Sequence, residues 1–233
     1  MRNKFNKIHY YIFSISLIYF VLFTAFYLVC FLDKDGLYKL IMKYETYNYL
    51  PFKLINDDLK NLCSELMKYI SGKIPFLETK VTIDNALTEF YSVRSKIHMA
   101  DVRHLIIVFR NICFASIAVC IFSIFKLMNV KDAIQNLKKA YVKTLVILVS
   151  ILAILIIIAS LDFSSFFVKF HEVLFTNDLW LLNPSEDYII CLLPEKLFMT
   201  YAIRIVIAMI IALILPYLCL LLLSKIQPHQ EAK

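Results

Sequence analysis

With only two glycines in 233 residues, the chain cannot build the glycine-rich loops that cradle phosphates or dinucleotides. Hydrophobic residues make up 61% of it and the mean hydropathy is +0.71, above the roughly half-apolar usage of soluble domains. The formal charge of +7 falls as a positive-inside bias between apolar runs, so nucleic acid is not expected as a partner.

Residues 1–8 form a short basic start, with Arg2, Lys4 and Lys7 and no acid. Residues 9–32 are the first of four runs that reach the about 20 apolar residues a membrane-crossing helix needs. This run is too long for a secretory signal, and no small-x-small cleavage site follows it. Tyr27-Leu28-Val29-Cys30 is a poor lipobox, because Val29 stands where a small residue belongs.

Residues 33–103 are charge-balanced and read as a small folded domain. Tyr44–Tyr49 is aromatic and reads as extended. Asn56-Asp57-Asp58 reads as an N-cap with acids in the first turn. Leu59, Leu62, Cys63, Leu66 and Ile70 then recur at helical spacing up to Gly72. Val81–Ile83 suggests a short strand, and from Ala86 the pattern predicts a helix running unbroken into the second span, 104–128.

The connection 129–141 carries Lys131, Lys138 and Lys139 against Asp132, and leads into a third span at 142–161. Residues 162–198 hold Lys169 and Lys196 against six acids and are dense in aromatics, which suits an interfacial position. The fourth span is 199–223, and the tail 224–233 has Lys225 and Lys233 against Glu231. The fold class expected is therefore a mainly α integral membrane protein. It has four transmembrane helices, a small extracytoplasmic α(+β) domain and an interfacial aromatic-rich segment. Both ends are expected in the cytoplasm, with 33–103 and 162–198 outside. No internal repeat relates the helix pairs, which counts against a transporter built from repeated halves.

Candidate chemistry gathers at the outer boundary. On a helix Arg94, His98 and Asp101 share one face, and a carboxylate beside an imidazole fixes its tautomer. His171 lies just after the third span, so both histidines are expected at one depth. A single interfacial histidine is more often structural than catalytic, and the coincidence of depth strengthens the pair only modestly. A metal site from His98, Asp101 and His171 lacks any HxxxH or CxxC spacing, so no metal and no cofactor are expected. No serine-nucleophile motif is present, so any nucleophile would belong to the substrate. The six cysteines give no disulfide framework; Cys63 and Cys191 alone are expected outside the spans, and a disulfide between them is an open alternative that spacing does not indicate. Arg110 and Arg204 lie within spans, where snorkelling or pairing with Asp162 or Glu195 competes with a functional role.

The stretch Phe170-His171-Glu172-Val173-Leu174-Phe175-Thr176-Asn177-Asp178-Leu179-Trp180 resembles an FHxxxFxxxxW signature of a bacterial membrane family. Pro184-x-x-Asp187-x-Ile189-Ile190 and Pro194-Glu195-x-x-Phe198 continue it, and His98-Met99-Ala100-Asp101-Val102 resembles its HMxDV element. The family is that of the Lit-type lipoprotein intramolecular transacylases of Gram-positive bacteria. Two positions depart from its pattern: Asn183 replaces an acid before Pro184, and Ser95 replaces a Glu after Arg94.

The resemblance implies an acyltransferase of the bacterial cell membrane acting on diacylglyceryl-modified lipoproteins among membrane lipids. The sn-2 acyl chain of the S-diacylglyceryl cysteine moves to the α-amino group of that cysteine, giving the lyso form. His98, His171 and Asp101 become the catalytic candidates. His98, oriented by Asp101, is expected as general base and His171 as the group that polarises the ester or protonates the departing glyceryl oxygen, with the two histidine roles interchangeable. Arg94, Phe167, Phe170, Phe175, Asn177, Trp180 and Asp187 become candidates for holding substrate. The readings that compete with this one are a non-catalytic lipid- or lipoprotein-binding protein and a metal-dependent lipid hydrolase.

Overall fold

The computed structural model describes residues 2–226, with side chains from residue 7 onward. Residue 1 and most of the expected cytoplasmic tail 224–233 lie outside the described residues. In chain order the elements are α1 (Arg2–Phe31), α2 (Gly36–Tyr44), a 3-10 turn (Thr46–Tyr49) and α3 (Asn56–Ile70). There follow β1 (Lys80–Ile83), β2 (Ala86–Glu89), α4 (Val93–Leu127), α5 (Ala133–Leu161), α6 (Phe163–Leu174), α7 (Ile189–Leu192) and α8 (Glu195–Ile226). Four helices are long and apolar enough to cross a membrane: Lys7–Phe31 of α1, then α4, α5 and α8.

The residues divide into two compact units. The first holds residues 2–26, 110–157 and 205–226, and its regular elements among the described residues are all helices. Its core is Tyr10, Phe13 and Ile18 of α1 with Ala133, Leu137, Ala140 and Tyr141 of α5 and Leu213 and Leu220 of α8. Tyr141 is fully buried, and its hydroxyl donates to the Leu213 carbonyl at 2.8 Å, three residues before the helix-internal Pro216. That bond meets the need of a buried phenol for a partner. Exposed isoleucines, leucines and phenylalanines cover the outward faces, as a lipid solvent requires.

The second unit holds residues 27–109 and 158–204. α2 and α3 supply its centre: Leu37, Leu40 and Ile41 from the former, Leu59, Leu62, Cys63 and Leu66 from the latter. The i, i+3, i+4 spacing puts each set on one helix face. α7 adds Ile189 and Leu192, and Thr46 donates its hydroxyl proton to the Leu192 carbonyl at 2.8 Å. Cys63 and Cys191 both pack in this core as free thiols.

Three local expectations give way here. Ala86–Glu89 is a strand paired antiparallel to β1, with Val81 opposite Thr88, and not the start of a helix. The cause is the turn: Asp84 and Asn85 both take left-handed φ, 49° and 64°, which a two-residue hairpin of the right twist demands. Tyr44–Tyr49 is not extended, because Glu45 ends α2 with φ 52° and a 3-10 turn follows. The N-cap of α3 is Ile55 and has no side-chain cap bond; Asp58 accepts instead from the backbone N–H of Thr82 at 2.7 Å, tying α3 to β1.

Candidate active site

α4 is 35 residues long, about 52 Å at 1.5 Å per residue, whereas a hydrocarbon core is about 30 Å thick. Its apolar stretch, broken by charge only at Arg110 and Lys126, starts at Leu105, so the first turns, which carry Arg94, His98 and Asp101, stand clear of it. α6 starts from a clear signal: Asp162 accepts from the Ser165 backbone N–H at 3.0 Å and from its hydroxyl at 2.6 Å. The helix ends at Leu174, one turn after Phe167–His171.

The two histidines come together. Their ring centroids are 6.0 Å apart, although 73 positions separate them in sequence. Both are buried, His98 at 5% and His171 at 9% exposure. An aromatic cage encloses His171: Phe167 at 4.3 Å edge-on, Phe170 at 5.5 Å, Phe175 at 5.7 Å and Trp180 stacked at 5.1 Å. Phe175 also meets His98 edge-to-face at 5.1 Å. Phe163 and Phe198 extend the apolar wall beyond Phe167, at 6.0 and 5.2 Å.

The imidazoles differ in their bonding. Nδ1 of His171 lies 2.7 Å from the Phe167 carbonyl oxygen. A carbonyl only accepts, so Nδ1 carries the proton and the lone pair of the neutral ring sits on Nε2. Nδ1 of His98 is buried with no hydrogen-bond partner among the described residues. Burial, then the neighbouring His171, push the His98 pKa down to about 4, against an opposing pull from Asp101. Burial also lowers the pKa of His171, offset in part by the Phe167 carbonyl, which favours the protonated ring.

Asp101 makes no hydrogen bond to His98, contrary to the orienting role expected of it. Its carboxylate accepts from the Asn177 amide at 2.9 Å, linking α4 to the loop after α6. Arg94 makes a second link of this kind: Nε donates to the Leu181 carbonyl at 3.1 Å and Nη2 to that of Asp178. Trp180 lies between those two carbonyls in sequence, so Arg94 and Asn177 anchor the loop that lays the indole on His171.

Asp187, expected to hold substrate, is 1% exposed and fully engaged inside the protein. It accepts from the Ser92 hydroxyl, from the Ser95 hydroxyl at 3.1 Å and from the Asn183 backbone N–H at 2.8 Å. Burial alone would raise its pKa, but these bonds and the nearby Arg94 charge outweigh that and hold it below the ordinary carboxylate value. Both departures from the family pattern, Ser95 and Asn183, touch this carboxylate. Ser92 is the residue that sequence reading passed over. It caps α4, its hydroxyl accepting from the Ser95 backbone N–H at 3.0 Å, and a helix assumed to begin at Ala86 hides that cap.

His98, Asp101 and His171 form no group able to hold a metal ion, and no such group of three occurs among the described residues. Glu195 accepts from the Ser164 hydroxyl at 2.5 Å, and Asp162 caps α6 by accepting from Ser165, so both acids engage serines.

The family described as lipoprotein intramolecular transacylase Lit has a model that matches residues 11–198. The chain belongs to the Lit family. It is thus an enzyme of the acyltransferase class, named for moving an acyl group within a lipoprotein. Solved structures of the membrane-integral Lit from Bacillus cereus share its fold. One matches at TM-score 0.74 and 22% identity, covering 96% of this chain and 97% of that one. A second, carrying a histidine-to-arginine substitution, matches at 0.70 and 21% over 97% and 96%. A third, with alanine at that same histidine, matches at 0.71 and 22% over 96% and 95%. No curated protein sequence matches the chain. The family is the one the HMxDV and FHxxxFxxxxW elements pointed to, and the mainly α fold with four apolar helices is the fold expected of it.

Proposed function

We propose that this Lit-family enzyme moves the sn-2 acyl chain of an S-diacylglyceryl cysteine to the α-amino group of the same cysteine, with His171 as general base. The observation that carries this is the bond from His171 Nδ1 to the Phe167 carbonyl, which leaves Nε2 as a lone pair inside an aromatic, largely dry cage.

Nε2 of His171 takes a proton from the substrate's amine. The amine nitrogen forms a bond to the sn-2 ester carbonyl carbon, giving a tetrahedral intermediate. His98, kept neutral by burial, offers an N–H to the oxyanion, as a neutral imidazole can. The ester C–O bond then breaks, and the glyceryl oxygen takes the proton back from His171. The products are an amide and a free sn-2 hydroxyl. Atoms balance with no water or co-substrate, which suits a site lacking a nucleophile of its own. Proton transfer of this kind is worth about 10²–10⁴-fold, and holding amine and ester in one cyclic arrangement contributes further. The exposed Phe170 and the wall formed by Phe163, Phe167 and Phe198 offer the acyl chains an apolar bed.

The basic segments 1–8 and 129–141 support a topology with both termini in the cytoplasm. That topology puts the His98–His171 site at the outer face, where lipoprotein N-termini emerge. Mass spectrometry of lipoprotein N-termini, made with and without this enzyme, tests the reading. The expected product is the N-acyl, S-monoacylglyceryl form at unchanged total mass. Release of free fatty acid, or no change, overturns it.

A further inference from the structure

Within the helical unit, beside the core residues Tyr10 and Ala140, α1 and α5 line an open groove of about 520 Å³. Lys7, Tyr10 and Tyr11 face it from α1, and Asn136, Lys139 and Lys143 from α5. The α1 set falls at i, i+3, i+4 and the α5 set at i, i+3, i+7, so each lies on one face of its helix. Three ammonium groups converge on this space, and no carboxylate lines it. Among the described residues none of the three lysines belongs to an ion pair. α5 begins at Ala133, so the positive end of its dipole lies on the same side. All three lysines are solvent-exposed, so their mutual repulsion is screened by water, and they present a positive surface to which an anion can add favourably.

We propose that this groove binds the phosphate of an anionic glycerophospholipid. The volume falls within the about 300–1,000 Å³ of small-molecule sites, and basic pockets between membrane helices are suited to lipid headgroups. The apolar surroundings select a lipid over a soluble phosphate. Ile8, Ile12 and Ile15 of α1 and Val142, Val146 and Ile147 of α5 are exposed beside the groove and continue along the helices, where acyl chains would lie. The lysines and the Asn136 amide would hold the phosphate oxygens. The site is remote in sequence from His98 and His171 and takes a lipid that is not the acyl donor.

The test is native mass spectrometry of the full-length protein in neutral detergent, offered dioleoyl phosphatidylglycerol, dioleoylglycerol or glycerol 3-phosphate. Phosphatidylglycerol should be retained roughly tenfold or more over dioleoylglycerol, and added salt should weaken that preference. Glycerol 3-phosphate at equal concentration should not displace it. A Lys139→Gln/Lys143→Gln variant should lose the preference, and the Lys139→Arg/Lys143→Arg variant should keep it. Equal retention of the neutral lipid, an undiminished preference in the Gln variant, or displacement by glycerol 3-phosphate overturns the proposal. If the Gln variant does not fold, the salt dependence of the unaltered protein decides. Because the readout is binding, it stands whether or not the transacylase mechanism above survives its own test.

Discussion

Trp180 lies stacked on His171, ring centroids 5.1 Å apart and planes inclined by 29°. It is also the sole tryptophan of the chain, so its fluorescence reports on this one site. A protonated imidazole quenches indole emission where a neutral one in the same place does so far less. Burial lowers the pKa of His171, so the quenching step should have its midpoint below the ordinary 6.5. His171→Gln should remove the step and lower kcat by about 10²–10⁴-fold with little change in KM. A titration midpoint at or above 6.5 would remove the assignment of Nε2 as a free lone pair in a dry cage.

His98 makes a second pH-dependent prediction, of stability. Its pKa is pushed to about 4 in the folded protein against 6.5 ordinarily. Between those values the unfolded chain binds the proton and the folded one does not, so stability rises with pH there. The contribution is complete above 6.5 and is lost as pH falls towards 4. Thermal unfolding in neutral detergent should therefore show Tm dropping over that window in the native protein. His98→Asn should flatten the drop there, whereas Asp187, whose pKa is held low, governs a separate and more acidic loss.

How far the sequence reaches can be seen residue by residue. Hydropathy alone locates the four long helices, because a lipid-crossing helix must be apolar over its whole length. α3 is legible from the 3.6-residue spacing of Leu59, Leu62 and Leu66. β2 is not legible, since four residues of local preference are overruled by the left-handed pair Asp84 and Asn85. Shared depth pointed to the meeting of His98 and His171, but helical spacing misdirected the reading of Asp101. An i, i+3 relation puts His98 and Asp101 on one face without bringing them into a bond, and Asn177 arrives from 76 positions away to take the carboxylate. The bond that fixes the His171 tautomer goes to a backbone carbonyl, which every residue possesses and no motif can mark.

Arg94 holds the Trp180 loop through two backbone carbonyls reached by one guanidinium. A lysine has the charge but not the fork, so Arg94→Lys should not be conservative. The expected result is a fall in kcat of about tenfold, with a loss of stability near 1 kcal/mol for these part-exposed bonds. Stopped-time product analysis gives the first and thermal unfolding the second. Wild-type emission from Trp180 in this variant would show that the loop does not depend on Arg94.

Asp187 should behave as a structural group despite sitting within the family motif. It is 1% exposed and accepts from Ser92, Ser95 and the Asn183 N–H, joining the first turn of α4 to the segment before α7. Asp187→Asn keeps the shape but exchanges one accepting oxygen for a donor, which leaves a buried donor facing donors. The cost is about 1–3 kcal/mol, the penalty of one unsatisfied buried polar group. The variant should therefore unfold earlier, while turnover per folded molecule stays close to that of the native enzyme. Ser95→Ala should cost less, because Ser92 and Asn183 still satisfy the carboxylate. A large fall in turnover with unchanged Tm in Asp187→Asn would instead mean that this carboxylate acts on substrate.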